Sequence, residues 1–261
     1  MAIITGASRG IGFRFAAAML EAGFNVVLTG ARSRENLMLA TENLANLYNP
    51  DRVMYSLSDA GLAEDANRTV AETLDRFGRV DVLVNNAGRG PREISESFHT
   101  EPVKFWQTEP DDWSEIVRSN ITGPFLMARA VAPSMIAQGW GRIIGISTSR
   151  VTMVRRGYAP YGPSKAALDA MTRVFAQDLE GTGVTCNILL PGGPTDTDFI
   201  PGARVGTYAN LLGADVMNDA LCWIASEASD GITAARFVGK FWDASDPAAC
   251  REDTGAPPLI L

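Results

Sequence analysis

The chain has 261 residues, of which 46% are apolar and 20% are charged, so its composition is that of a folded globular protein. A net charge of −7 disfavours a general attraction to nucleic acid or to an anionic membrane. The chain has three cysteines without a C-x-x-C pair and a single histidine, His99, which argues against a zinc site and against a Ser-His-Asp hydrolase.

The first residues, MAIITGAS, lack the basic region and the long apolar core of a signal peptide. No apolar run approaches the roughly 18 residues that a membrane span requires. Together with the few, reduced thiols that we expect, this favours a cytoplasmic protein without a metal, a nucleic-acid partner or a membrane partner.

Apolar runs typical of strands alternate along the chain with stretches of helical periodicity. Because strands that are buried on both faces read as continuous apolar runs, the pattern favours a parallel sheet. The alternation predicts an α/β protein with a Rossmann-like, doubly wound parallel sheet of about seven strands and helices on both faces. The expected strands are 2–5, 25–29, 52–57, 80–85, 141–147, 184–190 and 236–242.

No repeat and no Gly/Ser linker divides the chain, so we expect one domain over residues 1–246. Two irregular segments, 89–111 and 193–213, are candidate substrate loops, since long loops in a compact domain are often functional. Residues 247–261 are rich in Pro and Ala, and we expect them to form a loosely ordered C-terminal tail.

The segment TGASRGIG (5–12) joins the first strand to the first helix. Gly6, Gly10 and Gly12 permit a tight turn and let a phosphate approach the backbone, and the helix offers free N–H groups to it. The spacing is not G-x-G-x-x-G, so a plain strand-to-helix turn is the alternative. The position of the glycines favours a dinucleotide site.

The end of the second strand bears on the choice of dinucleotide. An acidic residue there binds the adenosine ribose of NAD, whereas a nearby Arg accommodates the 2′-phosphate of NADP. Here Gly30 stands where the acid is expected, and Arg32 and Arg9 are nearby cations. This favours NADP(H) over NAD(H), which stays possible; the alternative is that Arg32 and Arg34 are solvated charges at a helix start.

The segment YGPSK (161–165) places a tyrosine and a lysine four residues apart at the head of a helix-periodic stretch. Such residues share one face of a helix, and Pro163 is compatible with its first turn. An isolated tyrosine, with a pKa of about 10, is a slow proton exchanger at neutral pH. A neighbouring ammonium lowers that pKa, so Lys165 can tune Tyr161 as a proton donor.

These motifs together resemble those of the short-chain dehydrogenases/reductases, in particular carbonyl and ketoacyl reductases, over nearly the whole chain. The family pattern T-G-x-x-x-G-x-G matches TGASRGIG, N-N-A-G matches residues 85–88, and Y-x-x-x-K matches residues 161–165. The resemblance implies an enzyme that interconverts a ketone or aldehyde and an alcohol with NADP(H). It also implies a homotetramer or a dimer.

The resemblance also implies a catalytic set of Asn120, Thr148, Tyr161 and Lys165. Lys165 would bind the nicotinamide ribose, and Asn120 would hold a water of the proton relay. The family usually has a serine thirteen residues before the tyrosine, where this chain has Thr148. A threonine hydroxyl makes the same hydrogen bonds but is stiffer, so Thr148 is the first candidate for binding the substrate oxygen and Ser147 the second.

The family pattern further implies which residues bind the cofactor. The segment after Pro191 and Gly192 is one residue longer than the usual pattern, so Thr195 and Thr197 are alternatives for one contact. The expected cofactor-binding residues are Gly6, Ser8, Arg9, Gly10, Ile11, Gly12, Arg32, Asp59, Asn86, Ala87, Gly88, Tyr161, Lys165, Pro191, Gly192 and Thr195.

The candidate substrate walls are rich in aromatic side chains, which suggests a small apolar or cyclic substrate. Two other functions remain open: a dinucleotide-binding regulatory protein without turnover, or a dehydratase or epimerase that uses the same site. The expected wall residues are Phe98, His99, Phe105, Trp106, Met153, Arg155, Arg156, Tyr158, Phe199 and Tyr208.

Overall fold

The structure, a computed structural model, describes residues 1–200 and 210–252. Its strands form one sheet in the order β3-β2-β1-β4-β5-β6-β7-β8, in which only the pairing of β7 with β8 is antiparallel. The strands are β1 (Ala2–Ile4), β2 (Val26–Gly30), β3 (Val53–Leu57), β4 (Val82–Asn85), β5 (Gly141–Ile146), β6 (Val184–Leu190), β7 (Arg236–Val238) and β8 (Arg251–Glu252).

Helices cover both faces of this sheet, which confirms the expected doubly wound architecture. They are α1 (Gly10–Glu21), α2 (Arg34–Leu47), α3 (Ala63–Phe77), α4 (Pro110–Val117), α5 (Gly123–Gln138), α6 (Arg150–Met153), α7 (Tyr161–Asp178) and α8 (Asn218–Ile224). Successive residues of a strand point to opposite faces. Ile4 and Leu28 therefore pack against α1, α2 and α8, while Ile3 and Val27 pack against α3, α5 and α7.

The sheet has one strand more than the sequence predicts. The additional strand β8 lies within residues 247–261, which were expected to form a tail. Glu252 pairs with Arg236, and the N–H of Val238 donates to the carbonyl oxygen of Cys250 at 2.9 Å. These backbone contacts place residues 250–252 against the edge of β7.

The helical stretch after residue 110 is not continuous. A π-helical segment, Arg118–Thr122, separates α4 from α5, and it contains the fully buried Asn120. Such π-bulges are rare in proteins, and those that occur often lie at functional sites. The bulge lies beside the segment that follows β4, where the side chain of Asn120 binds the backbone of Arg89.

The strand order reverses direction between β1 and β4, and a crevice opens at the carboxyl ends of these strands. In open α/β sheets, ligands bind in this crevice. The loops that follow β1, β2, β4, β5 and β6 all reach it. Among the described residues, no helix is both long and apolar enough to span a membrane.

Candidate active site

The turn between β1 and α1 is built around two glycines that accept no side chain. Gly6 has φ +66°, and a Cβ on it would lie 2.9 Å from the Cα of Ala87; a Cβ on Gly12 would lie 2.4 Å from the carbonyl oxygen of Gly6. The amide of Asn86 donates to the carbonyl oxygens of Thr5 and Gly6 at 2.9 and 3.1 Å. The turn is thus fixed by the segment after β4. With no acidic residue in its first turn, α1 offers its N-terminus to an anion.

The predicted tyrosine and lysine lie side by side at the start of α7, and both are buried. The Nζ of Lys165 donates to the carbonyl oxygen of Ile146 at 2.8 Å, at the end of β5. The hydroxyl of Thr148 forms a hydrogen bond with that of Tyr161. A Cβ on Gly88 would lie 3.5 Å from this Nζ, so the glycine keeps the space beside Lys165 open.

The third predicted catalytic residue, Asn120, is connected to the same helix. Its amide nitrogen donates to the carbonyl oxygen of Arg89 and to the hydroxyl of Ser164, each at 2.9 Å. That hydroxyl donates in turn to the carbonyl oxygen of Tyr161 at 2.6 Å. The Oδ1 of Asn120 accepts from the N–H of Arg89 at 2.8 Å. Asn120 therefore fixes the backbone around Tyr161 from behind the cleft wall.

The two candidate hydroxyls after β5 have different partners. Ser147 donates to Oδ1 of Asp169 at 2.6 Å, and the Nε of Arg236 donates to Oδ2 of the same carboxylate at 2.8 Å. Arg236 also donates to the carbonyl oxygen of Thr148 and pairs with Glu252. The hydroxyl of Ser147 thus donates to Asp169, and of the two candidates it is Thr148 whose hydroxyl interacts with Tyr161.

The sequence reasoning missed Asp169 and Arg236. Asp169 lies four residues after Lys165 on the same helix face, a spacing that offered a signal for it. Arg236 is 4% exposed and comes from β7, 67 residues further along the chain, so no local pattern indicated the contact.

One cleft of about 1210 Å³ runs from the glycine turn to Tyr161. Thr148 lines it, whereas Asn120 does not. Of the alternative threonines, Thr195 donates to the carbonyl oxygen of Gly193 at 3.3 Å, while Thr197 lies against Gly10. Every residue predicted to bind the cofactor lines the cleft: Gly6, Ser8, Arg9, Gly10, Ile11, Gly12, Arg32, Asp59, Asn86, Ala87, Gly88, Tyr161, Lys165, Pro191, Gly192 and Thr195.

Three of the predicted aromatic residues, together with Arg155, line the substrate end of the cleft. The ring of Phe199 lies 5.6 Å from that of Tyr161, and Phe98 lies 5.6 Å from Tyr158, measured between centroids. The other described residues of that prediction, His99, Phe105, Trp106, Met153 and Arg156, do not line the cleft, and Tyr208 lies outside the described residues.

The failure of the prediction is clearest for Phe105 and Trp106. They are 68% and 69% exposed, and their rings pack against each other with centroids 5.0 Å apart. The loop 89–111 contributes its first part to the cleft and turns outward before these two residues.

The opposite end of the cleft is charged. Arg32 reaches it as predicted, and its Nη2 lies 2.6 Å from an Oε2 of Glu93, in the loop after β4. Arg9 lies 3.6 Å from Asp198, in the loop after β6. Asp59, one of the expected cofactor-binding residues, pairs with Arg118 across 2.5 Å. The sequence reasoning missed the carboxylate partners of both arginines.

Residues 1–204 of the chain match the short chain dehydrogenase family. The chain belongs to this family. It is 37% identical over 209 residues to a short-chain type dehydrogenase/reductase of Picea abies, covering 76% of this chain and 72% of the relative. A 3-oxoacyl-[acyl-carrier-protein] reductase of Synechocystis is 33% identical over 225 residues, covering 82% and 86%. A 2-(R)-hydroxypropyl-CoM dehydrogenase of Xanthobacter autotrophicus is 34% identical over 254 residues, covering 91% and 96%.

Solved structures of dehydrogenases have the same fold. A gluconate 5-dehydrogenase from Burkholderia cenocepacia in complex with NADP and tartrate superposes with a TM-score of 0.77 at 28% identity, covering 89% of this chain and 90% of the other. A metagenomic short-chain oxidoreductase in complex with NADP gives 0.73 at 27% identity, covering 89% and 93%. The short-chain dehydrogenase described here is thus an NAD(P)-dependent oxidoreductase.

Burial dominates the electrostatics of the catalytic end of this dehydrogenase. It raises the pKa of Tyr161 to about 12, although the hydrogen bond from Thr148 lowers it in part. It lowers the pKa of Lys165 to about 8, although the charge of Asp169 opposes the change. The lysine was expected to lower the pKa of the tyrosine; instead, desolvation by burial raises that pKa, and the phenol is neutral at neutral pH. Among residues 1–200 and 210–252, no group of His, Cys, Asp and Glu has the arrangement of a metal site.

Proposed function

We propose that this dehydrogenase interconverts a ketone or aldehyde and an alcohol with NADP(H), and that Tyr161 is the proton donor and acceptor. The observation that carries the proposal is the hydroxyl pair of the buried Tyr161 and the half-buried Thr148, next to Lys165, at one end of a cleft whose other end is the glycine turn. A neutral phenol, held by a second hydroxyl, can give its proton to a carbonyl oxygen.

The residues present fit a dinucleotide. The turn that excludes a Cβ at Gly6 and Gly12 leaves room for a pyrophosphate at the N-terminus of α1. The hydride comes from the reduced nicotinamide when that cofactor is bound. Thr148 orients the substrate oxygen, Tyr161 protonates it, and Lys165 binds the nicotinamide ribose and supplies a positive charge beside the phenol.

The preference for NADP(H) has three supports. The end of β2 carries Gly30 in place of an acid, and a Cβ there would meet only the side chains of Leu37 and Ser8, at 3.7 Å or beyond. Arg9 and Arg32 line this corner of the cleft. Both of the related solved structures described above hold NADP.

The substrate class is a carbonyl compound with an apolar group beside the carbonyl carbon. Phe98, Tyr158 and Phe199 line the space next to Tyr161, and Arg155 lies at its edge with its guanidinium 5.4 Å from the ring of Tyr158. The relatives include a 3-oxoacyl-[acyl-carrier-protein] reductase and a 2-(R)-hydroxypropyl-CoM dehydrogenase, so a test must sample several carbonyl classes.

The test is a panel of ketones, aldehydes and alcohols incubated with the purified protein and either NADPH or NADH. Consumption of reduced nicotinamide is followed by absorbance, and cofactor binding by titration. We expect turnover of apolar ketones that is faster with NADPH. Saturable cofactor binding without turnover across the panel would favour a regulatory protein, and a product without net redox change would favour a dehydratase or epimerase.

We also propose a homotetramer, with a dimer as the alternative, in the cytoplasm. Apolar side chains stand exposed on the helices that cover the sheet: Phe125 and Ile136 on α5 are 42% and 45% exposed, and Val174 on α7 is 53% exposed. Exposed apolar surface of this kind is typical of subunit interfaces. Light scattering on the purified protein tests the assembly, and cell fractionation tests the location.

A further inference from the structure

A carboxylate stands at the cofactor corner although β2 supplies none. Glu93 belongs to the loop after β4, and it reaches across the cleft so that its Oε2 lies 2.6 Å from Nη2 of Arg32. Both side chains line the cleft, with 28% and 53% of their surfaces exposed. The cation expected to bind a 2′-phosphate therefore already has an anionic partner.

The position of Glu93 is fixed by an anchored loop. The segment Pro91–Glu93 forms a single 3₁₀ turn. The N–H of Glu93 donates to the carbonyl oxygen of Gly90 at 3.0 Å. The Nη1 of Arg89 donates to the Glu93 carboxylate at 3.1 Å. The backbone of Arg89 is bound on both its N–H and its C=O by the side chain of Asn120. Glu93 is thus held toward Arg32 from a rigid base.

Glu93 carries its charge at neutral pH. Partial burial raises the pKa of its carboxyl, but the hydrogen bond and charge of Arg32 and the charge of Arg89 outweigh burial and hold the pKa below its ordinary value. A dianionic phosphate placed on Arg32 must therefore displace an ionised carboxylate or share the guanidinium with it. Like charges brought together at one cation oppose binding.

We propose that Glu93 is a specificity-determining residue, which competes with the 2′-phosphate of NADPH for Arg32 and so narrows the preference of this enzyme for NADPH over NADH. The inference rests on the proposed function, since it assumes that the cofactor lies in this cleft. NADH has no 2′-phosphate and leaves the Arg32–Glu93 pair intact. Only NADPH binding is weakened by the carboxylate.

The test compares Glu93→Gln with Glu96→Gln as a matched control. Glu96 lines the same cleft on the same loop, but its partner is Arg92, at 2.8 Å. The dissociation constants of NADPH and NADH are measured by fluorescence titration at low salt, without any substrate. We expect Glu93→Gln to bind NADPH about fivefold more tightly or better, because a competing charge is gone, and NADH within about twofold of the parent. Glu96→Gln should change neither constant by more than about twofold.

A second background shows whether Glu93 acts through Arg32. In Arg32→Gln, the additional change Glu93→Gln should no longer improve NADPH binding. Glu93→Ala, checked by thermal unfolding, serves as the second variant because an amide can still hydrogen-bond the guanidinium. Equal effects of Glu93→Gln and Glu96→Gln, or a gain that persists without Arg32, would overturn the inference. If the parent protein binds neither nucleotide, the proposed function itself fails.

Discussion

The two ends of the cleft hold their charges in opposite ways. At the catalytic end, Tyr161 and Lys165 are 9% and 6% exposed, and the ammonium of the lysine donates to the carbonyl oxygen of Ile146. At the cofactor corner, the side chains of Arg9 and Arg32 are 62% and 53% exposed and pair with acids from two loops. Burial shifts the pKa values at the first end, while at the second end water and salt weaken each pair.

This difference teaches which residues can exchange partners. Exposed ion pairs contribute about 0–1 kcal/mol, so a ligand can replace one partner at a cost of at most about fivefold in affinity. Breaking a buried pair leaves an uncompensated charge and costs about 3–5 kcal/mol. The cofactor corner can therefore be rearranged by the ligand that it binds, whereas the catalytic end has to be assembled before the substrate arrives.

The largest effect that we expect follows removal of the proton donor. Tyr161→Phe deletes only the hydroxyl, and the activity on a carbonyl substrate should fall by about 10²–10⁴-fold because acid catalysis is lost. The dissociation constant of NADPH should stay within about threefold, since the phenol does not hold the phosphate corner. Steady-state kinetics and a cofactor titration measure both.

The matched control for this substitution is Tyr158→Phe, which removes a hydroxyl from a second tyrosine that lines the cleft. Its activity should stay within about tenfold of the parent. If Tyr161→Phe keeps full activity, the catalytic end does not supply the proton.

The second effect concerns the buried network behind Thr148. Asp169→Ala leaves Arg236, which is 4% exposed, without its carboxylate at Nε, and Ser147 without its acceptor. We expect the free energy of unfolding to fall by about 3–5 kcal/mol. Arg32→Gln, a charge deletion at the exposed corner, should lower it by less than about 1 kcal/mol. Urea unfolding of the two variants compares the ends directly, and equal losses would contradict the comparison.

The third effect is a pH dependence at the catalytic end. Burial lowers the pKa of Lys165 to about 8, so its ammonium is lost as the pH rises through that value, and carbonyl reduction should fall there. The phenol of Tyr161, with a pKa of about 12, stays protonated over the same range. Asp169→Asn removes the charge that stabilises the ammonium, so the alkaline limb of the activity profile should move to lower pH. Activity measured from pH 6 to pH 10 detects this shift.

The same pKa has a consequence for stability with a defined sign. A buried lysine whose pKa is lower in the folded protein binds fewer protons there than in the unfolded chain, between about 8 and its ordinary value. The free energy of unfolding should therefore rise across that range of pH, relative to Lys165→Met.

The control for Asp169→Asn is Asp178→Asn, on the exposed end of the same helix, which should not shift the pH profile of activity. If the alkaline limb of the activity profile is unchanged in Asp169→Asn, the charge of Asp169 does not influence the reaction.

How far the sequence predicted the site depends on the distance along the chain between the partners. The glycine turn and the pair Tyr161 and Lys165 are local patterns, and the structure brings them to one cleft. The contact between Asp169 and Arg236 joins residues 67 apart, and the register of β7 decides it. Glu93 reaches Arg32 across 61 residues, through the path of an irregular loop.

Two expectations failed for related reasons. The strand β8 is only two residues long, too short for a periodic signal, and it forms because the edge of β7 offers backbone partners. Phe105 and Trp106 were expected in the substrate wall because they are aromatic residues of the irregular segment 89–111. The aromatic character of a residue does not determine where its side chain points. In the turn Phe105–Gln107, the side chains of Phe105 and Trp106 are exposed at the surface.

The smallest effect that we expect is that of salt. It should also distinguish the exposed end of the cleft most clearly from the buried end. Raising the ionic strength to about 0.5 M screens exposed charges within a few ångströms but acts weakly on buried ones. The dissociation constant of NADPH should then rise about threefold more than that of NADH, because only NADPH places a phosphate on Arg32 and Arg9. In Arg32→Gln the two nucleotides should respond more alike. The alkaline limb set by Lys165 should stay where it is, since its ammonium is 6% exposed and bound to Ile146. If the alkaline limb of the activity profile moved with salt while the dissociation constants of NADPH and NADH changed equally, the assignment of the buried and the exposed end would be reversed.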